Sequence, residues 1–171
     1  APFFAPYWLK QLHLSYEQFM GLVAVSFGAR IVVMPAFGLL ARRLGARTLL
    51  WCGGVGITPM AALWLVSEWF PYLVLVQIAA GIVWGAWELG TFLLVFEAIR
   101  EEERTSILTT FNLANAVAMV SGSLLGGAIL HHFGEEKIGY MAIFALSSSM
   151  RVLTLPLLRR IPDVRLSPRP I

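Results

Sequence analysis

Two charged side chains stand deep inside apolar runs and could do chemistry there. Arg30 interrupts an otherwise uncharged stretch from Phe19 to Ala41, and Glu88 interrupts Phe70 to Phe96. Charge in such surroundings is costly unless it faces protein, water or a counter-charge. A carboxylate held between burial, which favours its neutral form, and an arginine, which favours its charged form, is suited to binding a substrate or a proton. The competing reading of Glu88 is a structural ion pair that fixes one helix against another. Arg30 has two readings as well: a binder of an anionic solute, or the partner of Glu88.

Polar residues accompany these charges at helical spacing. Gln77, Gly81, Trp84, Glu88 and Thr91 fall on one helix face. Trp84 could stack on a bound molecule or simply pack. Asn112, Asn115, Met119, Gly122 and Gly126 form a second stripe, suited to holding a solute or to cross-linking helices. Glu88, Arg30, Gln77, Trp84, Thr91, Asn112 and Asn115 are therefore the candidate substrate- or proton-binding residues. His131-His132 with Glu135-Glu136 is the one cluster resembling metal ligands. Adjacent histidines converge poorly on one ion, so a solvated loop is expected and no metal site. The sequence holds no phosphate loop, nucleophile elbow or zinc-protease helix, so no catalytic residues and no cofactor are expected.

The elements that must position these residues follow from composition. The chain is 58% hydrophobic and 13% charged, with mean hydropathy +0.74. A soluble domain carries about 25% charged residues, so a multi-span membrane protein is expected, with the lipid bilayer as its surroundings. Net charge is +3, but the basic residues are grouped and not interleaved with aromatics. That favours anionic lipid headgroups and excludes nucleic acid. The single cysteine, Cys52, excludes an intrachain disulfide.

About 20 apolar residues cross a bilayer as a helix. Five spans pass that test, at about 16–41, 48–66, 70–99, 105–131 and 138–158. The runs are continuous, not alternating, so a β-barrel is excluded and each run should be α-helical. The expected fold is an all-α, multi-pass transmembrane bundle. Ser15 with Gln18 forms a capping box ahead of the first span. Pro35 and Pro59 should kink their spans. Residues 1–9 are apolar and aromatic but short, and are expected to be the outer end of a truncated helix. With neither initiator Met nor basic n-region, the chain is expected to be a piece of something longer. The Pro- and Arg-rich segment 159–171 is expected to be a disordered tail. At a rise of ~1.5 Å per residue, Arg30 lies ~20 Å from the outer end, Glu88 ~25 Å and Arg151 ~20 Å. Arg151 interrupts the last span and is expected to snorkel toward the inner headgroups.

Lys and Arg set the orientation. One side of the alternating spans carries Arg42, Arg43, Arg47, Arg100, Arg104, Arg159, Arg160, Arg165 and Arg169; the other carries Lys10 and Lys137. The arginine-rich side should be cytoplasmic. The N-terminus of this chain is then outside and its C-terminus inside, in a plasma or bacterial inner membrane.

The first loop on that side reads Gly38-Leu-Leu-Ala-Arg42-Arg43-Leu-Gly45-Ala-Arg47. It resembles the G-x-x-x-D-R-x-G-R-R loop of major facilitator superfamily transporters, matching at Gly38, Arg43, Gly45 and Arg47. One departure is Arg42, where the strongest form has Asp, and it favours the more degenerate copy between the eighth and ninth helices. FNLANAVAMVSGSLLGGAIL is similar to an eleventh helix of that family. The resemblance implies the C-terminal six-helix half, from the end of the seventh helix through the twelfth.

It also implies secondary active transport of a small solute by alternating access, with or without a coupling proton or ion. The missing N-terminal half of the transporter would be the partner of this chain, and no enzymatic activity is expected. The competing class is a membrane-embedded structural or assembly protein with a transporter-like fold and no transport activity.

Overall fold

A computed structural model describes residues 3–133 and 137–158. The expected tail, 159–171, and Glu135-Glu136 of the histidine cluster lie outside the described residues. Among the described residues there is no strand. Helix α1, Phe4–Pro6, runs into a π-helical turn, Tyr7–Gln11. Then come α2, Tyr16–Leu44; α3, Ala46–Ile57; α4, Met60–Leu63; α5, Phe70–Ala98; α6, Glu101–Phe133; and α7, Lys137–Leu158. Four of these, α2, α5, α6 and α7, are long and apolar enough to cross a membrane. The protein is an all-α membrane bundle.

Local chemistry explains the boundaries. The capping box at the start of α2 is present: Gln18 N donates to Ser15 Oγ at 3.2 Å, and Ser15 N donates to Gln18 Oε1 at 3.0 Å. Pro71 occupies the first turn of α5, where a missing N–H costs nothing. At the far end of α5, Arg104 donates to the carbonyls of Phe96 (2.8 Å) and Ile99 (3.2 Å). These are carbonyls that a helix end leaves without in-helix partners.

Pro35 leaves α2 continuous, whereas the expected span at 48–66 is interrupted. α3 stops at Ile57, a turn covers Thr58–Pro59, and α4 adds one further helical turn. Pro59 has no N–H to offer the preceding turn. Thr58 Oγ1 bonds back to Gly54 O at 3.0 Å.

Helices α2, α3 and α5 form the packed centre. Contact residues rise together on α2 and α5, as Ser26 meets Gly81 and Arg30 meets Gly85, so these helices run parallel. On α3 they fall as α5 rises, with Gly56 against Val83, Gly53 against Trp87 and Leu50 against Gly90. Glycine permits the closeness: a Cβ at Gly90 would stand 2.7 Å from Leu50 N.

An aromatic cluster ties one end of the bundle together. Phe4 stacks on Phe144 at 4.8 Å, Tyr7 meets Phe144 edge-on at 5.2 Å, and Trp8 lies 4.5 Å from Trp64. Tyr7, Leu22, Leu73, Tyr140 and Phe144 are fully buried there. The short N-terminal segment is thereby anchored to α2, α4, α5 and α7.

Candidate functional site

Arg30 stands at the middle of α2. Its Nη1 donates to both carboxylate oxygens of Glu88 on α5, each at 2.8 Å. The parallel packing of α2 and α5 brings the two within reach. Gly81 has no side chain, so the carbonyl of Ser26 sits where a Cβ would be. One turn further on, a Cβ at Gly85 would lie 3.2 Å from Arg30 Cγ.

The pair is one-sided. A single guanidinium nitrogen bridges both oxygens, and Arg30 Nε is buried with no hydrogen-bond partner among the described residues. The Phe27 ring lies 5.1 Å from the guanidinium carbon, in cation–π range. The Arg30 side chain is 21% exposed and that of Glu88 47%. The arginine is therefore the held partner and the carboxylate the accessible one.

A cavity of about 360 Å³ opens beside Arg30. Its wall includes Arg30, Gln77, Trp84 and Arg151, together with Trp8 and Trp64 from the aromatic end. Gln77 on α5 is a buried polar residue, 6% exposed. A second cavity of about 260 Å³ is lined by Trp87, Asn115 and Thr154, and shares Trp84 and Arg151 with the first.

Arg151 corrects the snorkelling expectation. Its Nη1 donates at 3.1 Å to the carbonyl of Ile57, the last residue of α3, and the side chain borders both cavities. The interruption at Pro59 leaves backbone carbonyls short of in-helix donors, and a guanidinium with five N–H groups can serve one. Arg151 therefore reaches across the bundle, not along it.

Set beside this geometry, the comparison with known families is decisive. Residues 1–170 match the model of the Major Facilitator Superfamily. The chain belongs to that superfamily. No curated protein matches it. Major facilitator proteins are generally membrane transporters handling small solutes, and generally not enzymes.

The segment that resembles the major facilitator loop spans a junction without a linker. Gly38 and Arg43 lie within α2, and Arg47 lies in the first turn of α3. Gly45 alone separates the two helices, at φ 84° and ψ 157°, and its N–H bonds to Ala41 O at 2.9 Å. That backbone region is essentially restricted to glycine.

The candidate residues named from sequence divide by position. Arg30, Gln77 and Trp84 line the larger cavity, and Glu88 is bonded to Arg30. Asn115 lines the smaller cavity. Thr91 turns its hydroxyl back to Trp87 O at 2.8 Å, within its own helix. Asn112 is exposed and lines neither cavity. Sequence reasoning overlooked Ser26 and Phe27, which border the cavity one turn before Arg30. Their i−4 and i−3 spacing was the available signal. Trp8 and Trp64 had no such signal, because distant parts of the chain deliver them.

Proposed function

We propose that this chain is one half of a secondary active transporter that moves a small solute by alternating access. Its partner is an N-terminal helical half. Glu88 is the residue that binds solute or a coupling proton, and Arg30 holds it in place. The supporting observation is the ion pair itself. It lies beside a cavity, joins two helices near their middles, and leaves its carboxylate about half accessible. A charge pair at that depth is costly to keep without a use.

The need for a partner half is supported by α6. Every residue from Thr109 to Gly122 is exposed, including Asn112, Asn115 and Ser121. Amide and hydroxyl groups facing hydrocarbon lack hydrogen-bond partners, and another helix would supply them. The orientation that places the arginine-rich side in the cytoplasm, in a plasma or bacterial inner membrane, rests on the Lys and Arg distribution.

The short, doubly bonded geometry favours one further reading, in which the pair is a permanent tether and the protein a membrane scaffold. Reconstituting the intact protein in liposomes separates the two. Uptake is measured for a panel of radiolabelled organic anions, organic cations and sugars, with and without an imposed proton gradient. Uptake of any panel member that is lost in Glu88→Gln supports transport. A protein that moves no member, and that unfolds when Glu88 is changed, supports the scaffold.

A further inference from the structure

We infer that the larger cavity binds a small organic anion with an aromatic or similarly flat apolar body. This rests on the transport reading in taking the cavity as the place where solute is held, which leaves Glu88 the coupling-proton role of the two given above. Charge is the first argument. Two arginines line the wall, and among the described residues no carboxylate does. Glu88, which neutralises Arg30, is not part of that wall. Among the described residues, Arg151 is bonded to the neutral carbonyl of Ile57 and to no carboxylate. A cavity in low-dielectric surroundings thus carries an uncompensated positive charge, which an anion relieves and a cation aggravates.

Hydrogen-bonding capacity points the same way. Arg151 lines the wall and gives one N–H to the Ile57 carbonyl, so further guanidinium donors remain for a ligand. A carboxylate or sulfonate brings acceptors only, whereas a sugar brings as many donors as acceptors.

The body of the ligand follows from the rest of the wall. Rings of Phe4, Phe19, Phe27, Trp64 and Trp84 join Trp8 around the space. Aromatic walls favour flat apolar groups by stacked or edge-on contact. The volume of about 360 Å³ falls in the range of about 300–1,000 Å³ common to small-molecule sites.

The test is calorimetric titration of the intact protein in phosphatidylcholine nanodiscs, with empty discs subtracted. The probes are naphthalene-2-sulfonate and the 2-naphthylmethylammonium ion, matched in body and opposite in charge. The sulfonate is expected to bind at one site at least about ten-fold more tightly than the ammonium ion, the scale of one charge-assisted hydrogen bond. Arg151→Gln should weaken sulfonate binding by about ten-fold or more, and Trp84→Leu should weaken both probes. Because Arg151 also supports Ile57, the charge preference of the unaltered protein stands as a test that needs no variant.

Equal or tighter binding of the ammonium ion would overturn the proposal. Unchanged sulfonate affinity in a folded Arg151→Gln protein would do the same. Repeating the titration in phosphatidylglycerol discs separates free solute from lipid: loss of the sulfonate site there would make a headgroup the occupant and overturn the solute assignment. Uptake of cations or sugars without sulfonate binding would sink the anion assignment and leave transport standing. Saturable sulfonate binding with no panel member moved would support the anion site and sink transport.

Discussion

Arg151 on α7 donates to the backbone carbonyl of Ile57 across the bundle, at 3.1 Å, beside the interruption that Pro59 makes in the second expected span. One charged side chain thus completes a backbone that one proline breaks, and the same side chain borders both cavities. Arg151→Met removes the donor and leaves the carbonyl unsatisfied. It is expected to lower stability by about 1–3 kcal/mol, the cost of an orphaned buried acceptor. Thermal unfolding in detergent checks this, and an unchanged midpoint would show that Ile57 does not depend on Arg151.

Gly45 is the single residue between α2 and α3, at φ 84° and ψ 157°. Side chains strain that conformation by about 1–3 kcal/mol. Gly45→Ala should cost about that much in stability, and Gly45→Val more, because a β-branched residue is stiffer. Expression and unfolding midpoints of the two variants report the order. Equal stability of all three proteins would remove any special role for the turn.

Close approach, not conformation, explains Gly81. A side chain there collides with the Ser26 carbonyl, whereas Gly28 on the same helix pair has open space around it. Gly81→Ala should destabilise by about 1–3 kcal/mol through overpacking, and should separate Arg30 from Glu88. Gly28→Ala should be neutral or stabilising by about 0.5–1 kcal/mol, since alanine favours helix. Parallel unfolding curves decide, and similar effects at the two positions would contradict the packing described.

Orientation is checked by labelling. With Cys52, which is exposed, replaced by Ser, a cysteine at Arg42 should react only with reagent on the cytoplasmic side. One at His13 should react only from outside. Both positions are exposed, whereas Ala46 in the same loop region is fully buried and unsuited to labelling. Reversed labelling would overturn the orientation.

Much of the fold was legible in the chain, for physical reasons. Lipid leaves helix as the only outlet for a long apolar run, so α2, α5, α6 and α7 stand where long apolar runs occur. Ser15 and Gln18 announced the start of α2 because a cap is local. Glu88 and Arg30 could be placed at a common level because helical rise is constant. Their contact could not be derived, since it depends on how closely glycines let α2 approach α5.

Arg151 was misjudged for a related reason. Its place in the last span suggested a path along the helix to the inner headgroups, while its partner lies on α3. The aromatic wall of Trp8 and Trp64 was equally hidden, being assembled from segments far apart in the chain. Thr91 shared a face with Glu88, but its hydroxyl is satisfied by its own helix at Trp87, which spacing alone does not reveal.

The most direct test of the account compares Glu88→Gln with the double variant Arg30→Met/Glu88→Gln in the intact protein, measuring unfolding midpoint and solute uptake together. The transport reading predicts that Glu88→Gln folds with a nearly unchanged midpoint and loses uptake or its coupling, and that the double variant does not recover it. A purely structural pair predicts otherwise: Glu88→Gln loses about 3–5 kcal/mol because an unpaired cation remains, and the double variant regains it. A stable Glu88→Gln protein with full uptake would contradict the central claim outright.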